Sequence, residues 1–168
     1  LAWGASIRLV GVPSFEALAV AALRSNPLSG TGILITARYA YSEGHYVAFW
    51  RETEEGPRRL TEDSVLQAEA VAEELGVCRG KVGLTAAAVR LCGDRACLEA
   101  LEASAREGGW QVLDDLDEIP AGCLAECAWA RLREGKALGA AAAIHALAPL
   151  YLRASDPELK LKRKQAGG

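Results

Sequence analysis

The spacing of apolar positions switches between two periods along the chain, and the switches mark out the elements. Ser6-Ile7-Arg8-Leu9-Val10-Gly11-Val12 is short, β-branched and closed by Pro13, which predicts a strand ending in a turn. Ser14 stands where a helix cap is expected. Phe15, Leu18, Ala19 and Ala22 then follow at i, i+3, i+4 and i+7, one apolar face of a helix that Asn26-Pro27 stops. Two extended runs, Gly32 to Tyr39 and His45 to Glu52, flank the turn-like Tyr41-Ser42-Glu43-Gly44 and predict an antiparallel hairpin. Pro57 to Leu60 predicts a short third strand. Thr61 is expected to open a second helix with Val65, Ala68, Ala72 and Leu75 inward, closed by Gly76.

From Val89 the pattern becomes Val89-Arg90-Leu91-Cys92, the turn Gly93-Asp94, and a helix with Leu98, Leu101 and Ala105 inward. Gly108-Gly109 ends that helix and Trp110-Gln111-Val112-Leu113 reads as a strand, so residues 89 to 113 form a parallel βαβ unit. A further helix runs from about Pro120 to Arg133, followed by an Ala-rich stretch and a basic tail. The order of elements, with a hairpin beside a βαβ unit, predicts an α/β lobe whose sheet mixes parallel and antiparallel strands.

Composition narrows the function classes. The chain has 168 residues, a formal net charge of -3, 51% hydrophobic and 24% charged residues, so one core is expected. The charge balance gives no global pull toward nucleic acid or an anionic membrane. No membrane association is expected, and the absence of an apolar span or a leader pattern predicts a cytoplasmic protein. Residue one is Leu and no Met occurs, so missing upstream sequence is expected. The five cysteines, 78, 92, 97, 123 and 127, lie among Ala and Leu and read as buried small residues; Cys123 and Cys127, at i, i+4, lack the further ligands of a closed zinc site.

Several segments carry candidate chemistry. Ser29-Gly30-Thr31-Gly32 resembles half of a phosphate-binding glycine signature but precedes a strand, where no helix dipole would face a phosphate. Gly93 and Asp94 are better placed, at a strand end before a helix. Asp94 reads either as an N-cap or as a ligand contact at the carboxyl edge of an open sheet. Asp114, Asp115, Asp117 and Glu118 form an acidic run that suits either a cation or the macrodipole of the following helix. Neither His45 nor His145 has a catalytic partner by spacing. No nucleophile-elbow, Walker or zinc-protease motif is present. Lys160, Lys162, Arg163 and Lys164 make a basic patch that reads as a solvated end or as an RNA phosphate contact.

Three separated motifs, taken together, resemble one family. Leu9-Val10-Gly11-Val12-Pro13-Ser14-Phe15-Glu16-Ala17-Leu18-Ala19 is similar to the "PLVGVSSLEALA" stretch of the TsaB (YeaZ) family. Pro149-Leu150-Tyr151-Leu152-Arg153 resembles its "P-x-YLR" ending, and Gly93-Asp94 its "VGDGA" turn. The family-motif positions are thus Gly11, Pro13, Ser14, Arg38, Pro149, Tyr151, Leu152 and Arg153. Thr36-Ala37-Arg38 stands where the family usually has Asp-Ala-Arg.

The resemblance implies an actin-like fold, of the acetate and sugar kinase, heat-shock cognate and actin (ASKHA) class, represented mostly by its C-terminal lobe. Residues 1–30 would be a remnant of the N-terminal lobe, 31–145 the C-terminal α/β lobe, and 146–168 a C-terminal segment with the basic tail. It implies a non-catalytic dimerisation and scaffold subunit that pairs with a TsaD-like catalytic protein. That complex threonylcarbamoylates the anticodon-adjacent adenosine of tRNA. A TsaE-like ATPase joins it, tRNA is met through it, and members of the family can also form homodimers. ATP and metal are expected on the partner, with no cofactor and no catalytic residue on this chain. The alternative is a small actin-fold nucleotide-binding enzyme, a kinase or ATPase using Asp94 and the acidic run 114–118, with Gly93 and Asp94 as its candidate cofactor contacts; an RNA-binding module using the basic tail is a third reading.

Overall fold

The computed structural model describes residues 9–27, 32–40, 44–113 and 116–136. Within them, α1 (Ser14–Ser25) is followed by β1 (Gly32–Tyr39), β2 (His45–Thr53), β3 (Gly56–Arg59) and β4 (Ser64–Leu66). Next come α2 (Ala68–Val82), β5 (Ala88–Gly93), α3 (Arg95–Gly108), β6 (Gln111–Leu113) and α4 (Ala121–Arg133). The strands form one sheet in the order β3-β2-β1-β5-β6, with β4 also on β2. Strand β2 is antiparallel to β1, β3 and β4, whereas β1, β5 and β6 run parallel, which is the expected mixture.

Strand β1 lies at the centre and is buried on both faces, so it is apolar at nearly every position rather than alternating. Ile33, Ile35 and Ala37 face a core completed by Val47, Phe49, Leu91 and the inner residues of α2 and α3. Leu34, with Ala48, Trp50 and Cys92, faces a second core under α1 and α4. The one polar side chain buried in β1, Thr36, accepts the Trp50 Nε1–H at 2.8 Å and donates to the Ala48 carbonyl, so its burial leaves no unmet group. Arg59 covers the Trp50 ring at 4.6 Å from its centroid. Helix α1 is tied to α4 by Arg24–Glu126 and Arg131–Glu16 pairs.

Two local expectations are corrected. Ser14 is the first helical residue of α1 rather than its cap. Pro13 is the N-cap, with extended backbone, and its carbonyl accepts from the Glu16 and Ala17 amides. Nor does a helix start at Thr61 and end at Gly76. Thr61 Oγ1 instead accepts the Phe49 amide, Ser64–Leu66 pairs with β2, and α2 runs through Gly76 and Gly80 to Gly83, whose φ of +67° closes it. Each glycine inside a helix costs about 1 kcal/mol relative to alanine. Burial of Val71, Leu75 and Cys78, at i, i+4 and i+7, offsets that cost and carries the helix past Gly76.

The strand expected over residues 6–12 falls mostly outside the described residues; within them, Leu9 forms an isolated bridge. The Ala-rich stretch, the family-like Pro149 to Arg153 and the basic tail also lie outside them. Among the described residues no helix is long and apolar enough to cross a membrane.

Candidate functional site at the carboxyl ends of the parallel strands

Strands β1 and β5 pair in parallel with Ala37 opposite Gly93, so both end at the same edge. This brings Arg38 and Tyr39 beside Gly93 and Asp94, with α3 starting immediately after. Side by side at these strand ends only glycine fits at 93: a Cβ there would stand 2.3 Å from the Ala37 carbonyl oxygen. The sequence singled out Arg38, Gly93 and Asp94 separately, and the fold brings all three together.

The carboxylate of Asp94 makes two bonds of different reach. Oδ1 accepts the Cys97 amide at 2.9 Å, which is the N-cap bond of α3, and Oδ2 accepts the Tyr39 amide at 2.9 Å, which clamps the end of β1 to the start of the helix. Asp117, past β6, accepts the Arg95 amide at 2.8 Å through Oδ1. Arg38 donates to the Asp117 carbonyl at 2.6 Å and to the Leu116 carbonyl at 3.2 Å. The four segments β1, β5, α3 and the loop after β6 are thus stitched into one polar clasp.

The clasp decides what this edge can do chemically. A helix N-terminus attracts anions because its first amides lack partners. Here the Arg95 and Cys97 amides are already met by carboxylates of the chain itself. Of the acidic run, Asp117 belongs to the clasp, Glu118 is exposed, and Asp114 and Asp115 lie outside the described residues. Among the described residues no group of three His, Cys, Asp or Glu side chains could hold a metal ion. The glycine signature at 29–31 lies outside the described residues, and Gly32 simply opens β1.

His45 adds a feature that sequence spacing did not single out. It starts β2 opposite Tyr39, is only 4% exposed, and lies with its ring centroid 5.9 Å from that of Tyr39. Its Nδ1 is buried without a hydrogen-bond partner. Burial lowers its pKa below the usual imidazole value, and the charges of Asp94 and Glu69 oppose the shift. The only signal in the sequence was its position at the base of the hairpin, next to Gly44, whose φ is +105°.

All five cysteines are free and buried. Burial pushes the thiols of Cys92 and Cys97 up to about 12 and that of Cys127 to about 11, the opposite of what a nucleophile needs. Elsewhere an open groove of about 360 Å³ runs between α2 and the Leu60–Leu66 segment, with Asp63, Glu74, Cys78 and Lys81 on its walls. Asp63 is held by Arg59 there.

No protein-family model and no curated protein matches the sequence. Among solved structures, the chain is similar to a Pseudomonas aeruginosa protein described as uncharacterized with similarity to peptidase YeaZ. The TM-score is 0.61 and the identity 19%, over 90% of this chain and 62% of that one. The chain therefore spans less than two thirds of that structure's length. At this identity the likeness is one of fold, and the mixed sheet with helices on both faces is built like that YeaZ-like structure.

Proposed function

We propose that this chain is a TsaB-like scaffold subunit, without chemistry of its own, that pairs with a TsaD-like catalytic protein for threonylcarbamoylation of the anticodon-adjacent adenosine of tRNA. The observation that carries the reading is the fold likeness to a YeaZ-like structure over 90% of the chain. Beside it stand the family-like motifs of the sequence, with Gly11, Pro13 and Ser14 leading into α1, Arg38 near the end of β1 and Gly93-Asp94 at the end of β5. The polar clasp supports the same reading. An edge where a nucleotide enzyme would present free amides and carboxylates to phosphate and metal has instead spent Asp94, Asp117 and Arg38 on holding the fold together. On this reading ATP and metal sit on the partner, a TsaE-like ATPase completes the assembly, and the site of work is the cytoplasm.

Size-exclusion chromatography with light scattering, on this chain mixed with a TsaD-like protein, tests the pairing. A heterodimer that supports tRNA threonylcarbamoylation, with neither component active alone, is the expected result. The second reading, an actin-fold kinase or ATPase, draws on the location of Asp94 at the carboxyl ends of parallel strands, where open α/β sheets bind ligands. Heat on titrating magnesium and ATP into the isolated chain, together with no pairing, would move the assignment to that enzyme.

A further inference from the structure

The groove between α2 and the Leu60–Leu66 segment combines an apolar lining with separated charges. Leu60, Leu66, Cys78 and Val82 supply the apolar part. Glu62 and Asp63 stand on one wall, and Glu74 and Lys81 on the other. Asp63 is answered by Arg59, but Glu62, Glu74 and Lys81 are in no salt bridge among the described residues. Both glutamates act on the groove's interior. Burial is the main cause that raises the pKa of Asp63 and of the Cys78 thiol, and the negative charges of Glu62 and Glu74 add to it. Along α2, Lys81 lies seven residues beyond Glu74, a rise of about 10 Å, so the α2 wall is positive at one end and negative at the other.

The chain itself carries a segment of matching chemistry, outside the described residues. In Glu158-Leu159-Lys160-Leu161-Lys162-Arg163-Lys164 an acidic residue comes first, two leucines alternate with lysines, and basic residues follow. In extended form the alternation puts Leu159 and Leu161 on one side, about 7 Å apart, and the charged side chains on the other. That spacing suits a lining in which Cys78 and Val82 stand one helical turn, about 6 Å, apart on α2. Long lysine stems lie along apolar surface while their ammonium groups stay at a wet rim. The charges also fix the direction. Glu158 and Lys162 stand about 13 Å apart in an extended chain, so with Glu158 at Lys81 the lysines meet Glu74 and Glu62. Reversed, the segment sets Lys162 against Lys81 and Glu158 against Glu74.

We propose that this groove is the docking site of the chain's own residues 158–164, laid in it as an extended strap with Leu159 and Leu161 on the apolar lining, Glu158 at Lys81, and Lys160 and Lys162 at Glu74 and Glu62. The tether permits it. Between the last described residue and Glu158 lie residues 137–157, which span up to about 70 Å when extended, well beyond the width of a chain of this size. A tether also holds the segment near its site at an effective concentration of about 1 mM. An affinity of about 100 μM, weak between separate molecules, then keeps the groove about nine-tenths filled. The strap neutralises the two unanswered glutamates and the basic tail together. It is independent of the pairing proposed above.

The test is carbodiimide cross-linking of the full chain at about 1 μM, far below the effective concentration of the tether, with the joined residues read by mass spectrometry. The reagent links an amine to a carboxylate only where the two touch. Lys160 and Lys162 are expected to join Glu62 and Glu74 about tenfold more often than they join Glu107 or Glu118, exposed carboxylates that do not line the groove. A Leu159→Ser, Leu161→Ser chain keeps every charge and leaves the groove untouched, and it should lose that preference about tenfold because the leucines no longer bury apolar surface. Cross-links spread evenly over the exposed carboxylates overturn the proposal and leave the basic tail a solvated end. A preference that survives the serine variant also overturns it, since charge attraction alone would then suffice. So does an equal mixture of unlabelled and nitrogen-15-labelled chains in which tail and groove are joined between chains as often as within them, which would make the occupant the tail of a second copy.

Discussion

Replacing Asp94 separates a structural clasp from a ligand site, because the two roles give different stabilities. Its carboxylate accepts the Cys97 amide and the Tyr39 amide, each at 2.9 Å. Loss of an N-cap costs about 1 kcal/mol, and a hydrogen bond to a charged group contributes about 1.5 kcal/mol, so Asp94→Ala should lose about 2–3 kcal/mol. Asp94→Asn keeps one acceptor, and asparagine caps helices nearly as well as aspartate. It should turn its amide nitrogen toward the Tyr39 amide, lose that bond, and cost about half as much. Urea unfolding followed by far-UV circular dichroism reads both, as a lower midpoint at unchanged slope. The order parent, Asn, Ala is the expected result. Asp94→Ala within about 0.5 kcal/mol of the parent, the usual range for a surface change, would refute the clasp, and a carboxylate held ready for a ligand would then be the better account.

Gly93→Ala drives a methyl group into the Ala37 carbonyl; overpacking of this kind costs about 1–3 kcal/mol, read as a lower thermal midpoint with the β1–β5 amides losing hydrogen-exchange protection. Because burial lowers the His45 pKa in the folded chain, the unfolded chain binds the extra proton first. Its contribution to stability is therefore complete above the unfolded value near 6.5 and is lost as pH falls through the folded one; urea midpoints measured between pH 7.5 and 5 should fall less steeply in His45→Phe than in the parent. With the Cys92 and Cys97 thiols at about 12 and Cys127 at about 11, these three should resist iodoacetamide at pH 8 in the native state and react readily in urea. Mass spectrometry of the alkylated chain checks this, and rapid native labelling of Cys92 would contradict the burial described.

Much of this architecture is legible in local pattern. The hairpin β1–β2 and the β5–α3–β6 unit announce themselves because their periodicity, turn residues and glycine stops agree with one another. The region 61–83 misleads for a physical reason: Gly76 looks like a helix stop, and only the tertiary burial of Val71, Leu75 and Cys78 carries the helix through it. At the site, the N-cap reading of Asp94 needs only its neighbours in sequence. Its bond to Tyr39, and those of Arg38 to Leu116 and Asp117, join residues 55 to 79 positions apart, and no local spacing encodes them. The buried Nδ1 of His45 is invisible for the same reason, since burial is a property of the assembled sheet.

The central position of β1 also bears on the order in which the chain assembles. Its partner β2 is reached almost at once, since Tyr39 pairs with His45, whereas Gly32 must wait for Ala88 before β5 can join. Closing the second loop, about nine times longer, costs about 2 kcal/mol more in chain entropy. The meander β1–β2–β3 and the β5–α3–β6 unit are therefore expected to form first as local pieces, with their docking along the β1–β5 seam as the slower step. Until it happens β1 offers a bare apolar edge to any other strand in solution. Dilution and a short dwell at intermediate denaturant are thus the conditions under which this chain refolds best.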